Sequence, residues 1–415
     1  MDFLEELEWR GLVKDVTDRE GLKERFKSPV TCYCGIDPTA DSLHIGHLQQ
    51  VLLLRRYQKA GNRVIALCGG ATGMIGDPRP TTERRLITLE EVAHNVECIK
   101  KQVGKFVDFS DESKGLLLNN FDWLGHMTLL EFLRDYGKHF NVANMIQKDT
   151  IARRLSTGIS FTEFTYTILQ GCDWLHLYQT YHCEVQFGGS DQWGNLVSGA
   201  DLIRKICGDE AKVYGITSPL ITKSDGSKFG KSEGGNIWLD PNRTSAYEFY
   251  QFWVNVADSD IISLLKRLSM KTPEEIMALE EEMKKDPGAR IPQKALADEL
   301  TELVHGSEGV EKAKRITETL FHGSIKDLTP EEIQDGLKDS AKCKLDSGMN
   351  LVDALVAAKI APSKREARQL IQAGSIQVNG DKVTDTEFTL KQEDAFRQDF
   401  TIIKKGKKNY FVITF

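Results

Sequence analysis

Residues 31–47 read TCYCGIDPTADSLHIGH and determine most of what this chain can form. The first six residues are β-branched, aromatic and apolar, a composition that predicts a buried strand. Pro38 ends the strand because it disfavours helical geometry in the residue before it. Asp41 or Ser42 can then cap a helix that begins near Leu43. The order strand, loop, helix is typical of an open parallel sheet, in which ligands bind at the carboxyl ends of the strands.

Two histidines lie at the predicted start of this helix. His44 and His47 are three residues apart and share one face of the first turn, where the helix N–H groups attract anions. Gly46 has no side chain, which allows a flat ring or a phosphate to approach the backbone closely. The pair is therefore a candidate phosphate site. Packing at a domain edge and metal binding are the two other interpretations of the H-x-x-H spacing.

Two further glycine-rich loops follow predicted strands. Residues 69–78, GGATGMIGDP, come after the apolar strand 63–68, and Asp77 in this loop can accept a hydrogen bond from an ammonium or a ribose hydroxyl. Residues 188–195, GGSDQWGN, come after the strand 184–187 and lead into a helix. Both loops are candidate ligand-binding segments. A flexible surface connection is the alternative interpretation of the first loop.

Residues 161–173 predict a largely apolar helix that carries polar side chains on one face. Tyr166, Gln170 and Asp173 occupy positions i, i+4 and i+7 of this helix. Polar groups on an otherwise apolar helix need an internal partner or a ligand. An amino-acid substrate supplies both, with an ammonium for Tyr166 and Gln170 and a phenol for Asp173.

Residues 223–235, KSDGSKFGKSEGG, combine four glycines with two lysines three apart, Lys228 and Lys231. This composition predicts a mobile cationic loop that can close on a triphosphate. A solvated charge pair is the ordinary interpretation of two lysines at this spacing.

The chain is similar in two signatures to a known enzyme family. Residues 38–47 resemble the HIGH signature of class I aminoacyl-tRNA synthetases, in wording most similar to the tyrosyl enzymes of bacterial type, and residues 228–232, KFGKS, match the KMSKS signature. The resemblance implies a Rossmann-like α/β catalytic domain with a parallel sheet and a helical insertion, then an α-helical domain and a small α+β RNA-binding domain. It implies ATP-dependent activation of L-tyrosine to tyrosyl-adenylate, followed by transfer to the 3' end of tRNA(Tyr).

The resemblance also assigns roles to individual residues of this sequence. The groups that would stabilise charge on the phosphates are His44, His47, Thr39, Lys228 and Lys231. The tyrosine site would comprise Tyr33, Asp77, Asn120, Tyr166, Gln170, Asp173 and Gln192. ATP would contact Gly35, Asp37, Gly46, Asp191, Lys231 and Ser232. RNA would contact Arg204, Lys205, Arg365, Arg368, Lys405, Lys407 and Lys408.

One segment departs from the family pattern. Family members commonly carry lysines after the glycine-rich loop, whereas this chain continues PRPTTERR from Pro78. Arg79, Arg84 or Arg85 would therefore replace a lysine on the pyrophosphate.

We expect no tightly bound cofactor and no metal site in the protein. Mg²⁺ would arrive with ATP, because no carboxylate cluster in the sequence provides a dedicated site. The eight cysteines are scattered without a C-x-x-C pair, which favours reduced thiols over zinc binding. No apolar run approaches the ~20 residues that span a membrane, and the acidic first six residues are unlike a leader. The predicted location is the cytoplasm.

The sequence predicts three domains. Residues 1–222 form the catalytic domain, and its insertion, about 121–160, would be a homodimer interface by resemblance, with a helical cap on a monomer as the alternative. Residues 223–345 contain the phosphate loop and a helical domain, in which TPEE occurs twice, at 272–275 and 329–332, as a capping box with proline at N1. A polar linker is expected near 339–350, and residues 348–415 form the RNA-binding domain.

The charge distribution supports a polyanion partner at the C-terminal end. Residues 361–415 contain ten Lys and Arg against seven Asp and Glu, a local charge of +3, so the remainder of the chain carries −10. A basic-faced helix at 361–371, a strand near 376–378 and a basic hairpin at 404–408 resemble a small ribosomal RNA-binding domain. A solvated basic surface is the alternative.

Two other functions are compatible with part of these observations. A tryptophan-specific relative would share both phosphate signatures but would not need a carboxylate for a phenol. A catalytically inactive, synthetase-like RNA-binding protein would keep the basic tail while losing His44, His47 or Lys231, all of which are present.

Overall fold

The structure is a computed structural model of the 415-residue chain. It describes residues 1–78, 86–222, 224, 226, 229–232, 235–338, 340–406 and 409–415. The predicted site residues Arg79, Arg84, Arg85, Lys228, Lys407 and Lys408 lie outside these ranges. The chain divides into two compact units, the first made of residues 1–243 and 256–304 and the second of residues 244–255 and 305–415.

A six-stranded sheet forms the centre of the first unit. Its strands are β1 Asp15–Val16, β2 Thr31–Ile36, β3 Arg63–Cys68, β4 Gly115–Asn119, β5 Cys183–Gly189 and β6 Tyr214–Ser218. Their spatial order is β1-β6-β5-β2-β3-β4, with β1 antiparallel to β6 and all other pairs parallel. The predicted Rossmann-like parallel sheet is confirmed. The strand order reverses between β2 and β5, the kind of position at which open α/β sheets bind ligands.

Helices surround this sheet. They are α1 Phe3–Trp9, α2 Arg19–Arg25, α3 Ile45–Lys59, α4 Thr72–Ile75, α5 Leu89–Val103, α6 Phe121–Leu124, α7 Leu129–Glu131, α8 Val142–Ile146, α9 Asp149–Ala152, α10 Phe161–Tyr181 and α11 Trp193–Cys207. Between α7 and α8 lie a π-helical turn, Phe132–Tyr136, and a 3-10 turn, Gly137–His139. The predicted helical insertion at about 121–160 is therefore confirmed as helical.

The core of the first unit explains why the strands read as nearly continuous apolar runs. Ile65 and Leu67 of β3 are buried and belong to one cluster with Trp174 and Leu177 of α10. Strands covered on both faces have little reason to alternate between apolar and polar residues. Packing of α10 against the sheet places the polar face of that helix at the strand ends.

The start of α3 differs from the prediction. The helix begins at Ile45 with His44 as its N-cap, two residues later than expected and without a cap from Asp41 or Ser42. The reason is a contact from far along the chain: Ile45 donates to the carbonyl of Ile237 at 3.0 Å, and Leu239 donates to the carbonyl of Leu43 at 2.8 Å. These bonds hold His44 in an extended conformation, with φ −130° and ψ 174°.

The chain after the sheet is mostly helical, as predicted. Its elements are β7 Lys231–Ser232, β8 Gly235–Asn236, α12 Ala246–Val254, α13 Asp258–Leu268, α14 Pro273–Lys285, α15 Ile291–His322 and α16 Pro330–Gly336. Both predicted capping boxes are confirmed, at Thr272 for α14 and Thr329 for α16, each with proline in the first turn. Gly306 interrupts α15 with a φ of 79°.

The end of the second unit is a small α+β fold. Its elements are β9 Ala341–Lys344, β10 Met349–Asn350, α17 Leu351–Ala357, α18 Lys364–Gln372, β11 Ile376–Val378, β12 Asp381–Lys382, β13 Thr389–Leu390, β14 Phe400–Lys405 and β15 Asn409–Thr414. The main sheet has the order β12-β11-β14-β15-β9. The predicted polar linker at 339–350 is wrong for residues 341–344, which pair in parallel with β15 because Cys343 packs against the core.

Candidate active site

A cavity of about 380 Å³ lies at the carboxyl ends of β2 and β5, where the strand order reverses. Fourteen of the predicted site residues line it: Tyr33, Gly35, Asp37, Thr39, His44, Gly46, His47, Asp77, Asn120, Tyr166, Gln170, Asp173, Asp191 and Gln192. The fold thus brings the two glycine-rich loops, the HIGH-like segment and the polar face of α10 to one cavity. Lys231 and Ser232 form β7, which pairs with β8.

One end of the cavity carries a buried phenol and a buried carboxylate. The hydroxyl of Tyr33 has no hydrogen-bond partner among the described residues, and the side chain is 1% exposed. Asp173 accepts hydrogen bonds from Nδ2 of Asn120 at 2.9 Å and from Nε1 of Trp123 at 2.8 Å. Burial raises the pKa of Asp173 to about 7, although the bonds from Asn120 and Trp123 oppose the rise. This end can therefore bind a hydroxyl group that both donates and accepts.

A chain of hydrogen bonds leads from this end toward the middle of the cavity. Nδ2 of Asn120 donates to Oγ1 of Thr72 at 2.9 Å, and Oγ1 of Thr72 donates to Oδ1 of Asp37 at 2.8 Å. The hydroxyl of Tyr166 donates to Oδ2 of Asp37 at 2.8 Å. These bonds fix the orientation of four polar side chains around the cavity: Asn120, Thr72, Asp37 and Tyr166.

A second buried carboxylate, Asp77, lies against α11. It accepts from Nε2 of Gln192 at 2.7 Å and from Nδ2 of Asn195 at 3.2 Å. Burial raises the pKa of Asp77 to about 6; the bond from Gln192 lowers it, and the nearby carboxylate of Asp37 raises it. Neighbouring carboxylates favour a positively charged ligand, because a cation relieves their mutual repulsion.

The two histidines lie at the N-terminus of α3. Nδ1 of His44 accepts from the backbone N–H of Gly46 at 3.0 Å, and Nδ1 of His47 accepts from the backbone N–H of His44 at 3.2 Å. An Nδ1 acceptor places the proton of a neutral imidazole on Nε2. Burial, followed by the neighbouring His44 ring, lowers the pKa of His47 to about 3. His47 is therefore a neutral hydrogen-bond donor at pH 7.

The position of the His44 ring explains why residue 46 is a glycine. A Cβ atom at this position would lie 2.7 Å from Cε1 of His44, so the absence of a side chain makes room for that ring. Gly35 differs, since a Cβ there would meet no described atom within 4 Å. Its missing side chain leaves space on the cavity wall.

Known proteins match the chain along nearly its whole length. The family described as "tRNA synthetases class I (W and Y)" matches residues 24–322, and the "Tyrosine–tRNA ligase SYY-like C-terminal domain" matches residues 332–413. The chain is 50% identical to tyrosine–tRNA ligase 1 of Bacillus cereus and 49% identical to tyrosine–tRNA ligase of Listeria monocytogenes, with all of both chains covered in each case. The chain belongs to the tyrosine–tRNA ligase family. Members of this family use ATP as a substrate.

Solved structures place this tyrosine–tRNA ligase chain among class I synthetases. A C-terminally truncated mitochondrial tyrosyl-tRNA synthetase of Aspergillus nidulans superposes with a TM-score of 0.69 at 33% identity, covering 77% of this chain and 94% of that chain. Membership also favours the tyrosine enzyme over the two alternative functions, since the full-length relatives carry the tyrosine name.

Several residues that line the cavity, or that hold a residue lining it, were missed from sequence. Thr72 and Trp123 orient Asp37 and Asp173, and Gln186 of β5 lines the cavity with a buried Oε1 that has no partner among the described residues. Gln50 of α3 also lines it. Thr72 lies inside the glycine-rich loop, and Trp123 follows Asn120 by three residues at the end of β4. Thr72 and Trp123 both follow a predicted strand, and this position in the sequence was the signal that could have identified them.

The predicted RNA-contact residues belong to both units of the chain. Arg204 and Lys205 are exposed in the last turn of α11, where Arg204 pairs with Asp201 and Nζ of Lys205 donates to the carbonyl of His139 at 2.6 Å. In the second unit, Arg365 and Arg368 are exposed on α18. Nζ of Lys405 donates to the carbonyl of Ile360 at 2.7 Å.

Three further observations concern metals, thiols and membranes. Nowhere in the described ranges do three or more His, Cys, Asp or Glu side chains group in a way that could hold a metal ion. All eight cysteines fall in those ranges as free thiols, and five of them are buried. No helix among the described residues combines the length and the apolar character that membrane crossing requires.

Proposed function

We propose that the cavity binds L-tyrosine and ATP and forms tyrosyl-adenylate. A tyrosine carboxylate oxygen attacks the α-phosphorus of ATP, the new P–O bond forms, and pyrophosphate leaves. The tyrosyl group then passes to the 3' end of tRNA(Tyr). The observation that carries the proposal is the pairing of Tyr33 and Asp173 at one end of the cavity, since a tyrosine hydroxyl can satisfy both. The closeness of the two groups is reflected in the pKa of Tyr33, which burial raises and the Asp173 carboxylate raises further.

The ammonium and carboxylate of the substrate are assigned to the middle of the cavity. Asp77 and Gln170 are the acceptors for the ammonium, because Asp77 is a buried carboxylate and Oε1 of Gln170 is buried without a partner among the described residues. Tyr166 and Gln192 complete this site, whereas Asn120 supports the hydroxyl end through its bond to Asp173. An ammonium would lower the pKa of Asp77 and keep it ionised.

ATP is assigned to the side formed by β2, α3 and the loop after β5. Its adenosine and phosphates would contact Gly35, Asp37, Gly46, Asp191, Lys231 and Ser232. His44, His47 and Thr39 would donate to the phosphates, and we assign Lys228 and Lys231 to the same phosphates. These groups stabilise charge that develops on the phosphates during transfer, which requires placement and no covalent step by the protein. Mg²⁺ enters as the MgATP complex and is treated as part of the substrate.

We assign catalysis to residues 1–222, triphosphate closure and helical support to residues 223–345, and RNA binding to residues 348–415. The exposed basic residues Arg365 and Arg368 on α18 support an RNA surface there. Lys405, Lys407 and Lys408, later in the same domain, are also assigned to RNA. Arg204 and Lys205 are a second assigned contact for tRNA.

We propose a homodimer formed through the helical insertion. Four apolar side chains in or beside this insertion are strongly exposed: Leu129 at 70%, Leu130 at 75%, Val142 at 57% and Phe161 at 72%. Clustered exposed apolar residues mark interaction surfaces, and identical subunits can bury them in a two-fold interface. Eight free thiols support a cytoplasmic location, where cysteines stay reduced.

ATP–pyrophosphate exchange with each of the twenty amino acids tests this function. We expect exchange with tyrosine and only traces of exchange with phenylalanine and tryptophan. Equal or greater exchange with tryptophan would support the tryptophan-specific alternative. Absence of exchange with all twenty, while tRNA still binds, would support the inactive RNA-binding alternative.

A further inference from the structure

Behind the hydroxyl end of the cavity, a histidine stacks on the tryptophan that holds Asp173. The rings of His176 and Trp123 are 4.2 Å apart between centroids and inclined by 16°, a parallel stack. At its edge, the indole of Trp123 donates a hydrogen bond from Nε1 to Oδ1 of Asp173 at 2.8 Å. His176, Trp123 and Asp173 therefore contact one another in that order, and Asp173 lines the substrate cavity.

The stack restricts how the indole can turn. A second cavity of about 300 Å³ lies on this side of α10, and both Trp123 and His176 line it. Without a flat ring against its face, the indole would have room to rotate into this cavity. Such a rotation would carry Nε1 away from Asp173 and leave Asn120 as the remaining donor of the two that hold the carboxylate.

We infer that His176 is a positioning residue for tyrosine selection, acting through Trp123 on the carboxylate of Asp173. The inference rests on the proposed function, because Asp173 must read the substrate hydroxyl. The imidazole itself touches no substrate. Burial lowers the pKa of His176 below its ordinary value, so the ring is neutral at pH 7.

The test compares tyrosine with phenylalanine in ATP–pyrophosphate exchange. For His176→Ala we expect kcat/KM for tyrosine to fall about tenfold, the scale of one hydrogen bond to a charged group. The kcat/KM for phenylalanine should change much less, because phenylalanine has no hydroxyl for Asp173 to bind, and the KM for ATP should stay unchanged. A role in folding alone would lower the activity with both amino acids by the same factor and would not change the tyrosine-to-phenylalanine ratio.

Two further variants separate stacking from volume. His176→Phe keeps a flat ring on the indole and should restore the ratio, whereas His176→Leu fills the space without a flat face and should not. His176→Leu replaces His176→Ala if the alanine variant fails to fold, as judged by circular dichroism. Thr180→Ala, an exposed position on the same helix, is the matched control and should behave like the unmodified enzyme.

Trp123→Phe and Tyr33→Phe distinguish failure of this inference from failure of the proposed function. A lowered ratio in Trp123→Phe together with an unchanged ratio in His176→Ala would overturn the role of His176 alone. A His176→Phe variant as impaired as His176→Ala would also overturn it. Unchanged ratios in both Trp123→Phe and Tyr33→Phe would instead refute the placement of the tyrosine pocket.

Discussion

The hydroxyl of Tyr166 donates a hydrogen bond to Oδ2 of Asp37 at 2.8 Å, although the two residues are 129 positions apart in the chain. Tyr166 belongs to α10 and was predicted to bind tyrosine; Asp37 follows β2 and was predicted to bind ATP. The bond therefore joins the two predicted subsites. Burial raises the pKa of Tyr166 well above its ordinary value, and the Asp37 carboxylate raises it further, so the phenol remains a donor.

Tyr166→Phe should impair binding of both substrates while the fold is retained. The substitution removes the donor to Asp37 and keeps the aromatic ring. We expect a fall in kcat/KM for tyrosine equivalent to about 1.5–3 kcal/mol, the scale of one hydrogen bond to a charged group. The effect is measured by pyrophosphate exchange, first with the tyrosine concentration varied at saturating ATP and then with the ATP concentration varied at saturating tyrosine. Tyr178→Phe, on the same helix outside the cavity lining, is the control; equal losses in both variants would contradict the prediction.

Much of the fold could be predicted because local pattern and tertiary context agree. The apolar runs of β2 and β3 and the turn residues that end them indicate buried parallel strands without knowledge of their neighbours. The polar stripe at Tyr166, Gln170 and Asp173 was also visible, because helical spacing alone puts those side chains on one face. These are the features on which most of the predicted cavity depends.

The features that escaped prediction depend on partners distant in sequence. His44 caps α3 because residues 237 and 239 hold the preceding backbone extended, and no local signal reports that contact. Strand β9 forms because β15 offers its edge some 70 residues later. Trp123 acquires its role only when α10 brings Asp173 within 2.8 Å of its indole nitrogen.

Tyrosine binding should strengthen as the pH rises through about 7. Burial raises the pKa of Asp173 to about 7, so the folded protein holds a proton there that the unfolded chain loses near pH 4. The stability contributed by this carboxyl is present below pH 4 and lost as the pH rises through 7, while its ability to accept the substrate hydroxyl is gained. The KM for tyrosine should fall between about pH 6 and 8, with no matching fall for phenylalanine. A parallel fall for both amino acids would contradict this assignment.

Lys231→Ala should slow adenylate formation and leave tyrosine binding nearly intact, because the cationic loop is assigned to the triphosphate. We expect a loss of ~2.7–4 kcal/mol in transition-state stabilisation, the scale for removing one preorganised donor. Single-turnover formation of tyrosyl-adenylate gives the rate, and equilibrium dialysis gives the Kd for tyrosine. A comparable loss of tyrosine affinity would rule out the assignment.

Arg365→Ala combined with Arg368→Ala should weaken tRNA charging and spare pyrophosphate exchange. Both side chains are exposed on α18, so the fold should be retained. Fewer phosphate contacts should also reduce the slope of tRNA affinity against salt concentration. Lys284→Ala with Lys285→Ala removes the same charge from exposed positions of α14 and is the control. A deletion that tests the same point must start before Ala341, because β9 belongs to the C-terminal sheet.

The choice of tyrosine over phenylalanine should depend on the hydroxyl of Tyr33. Phenylalanine would leave Tyr33 and Asp173 buried without the substrate hydroxyl, at ~1–3 kcal/mol for a neutral group and more for a carboxylate. Known tyrosyl-tRNA synthetase is the standard example of such discrimination: it rejects phenylalanine by a factor of about 10⁵ without an editing step. That figure belongs to the known enzyme and is not a prediction for this chain. Tyr33→Phe should therefore lower the tyrosine-to-phenylalanine ratio in pyrophosphate exchange.

Tyr57→Phe supplies a matched control for this last variant. The Tyr57 hydroxyl is also buried without a hydrogen-bond partner among the described residues, but it does not line the cavity. Because neither substitution breaks a hydrogen bond within the described protein, both variants should unfold at nearly the same temperature as the unmodified enzyme. The ratio should fall for Tyr33→Phe and stay constant for Tyr57→Phe. A constant ratio in both would mean that Tyr33 does not read the substrate hydroxyl and that tyrosine lies elsewhere in the cavity.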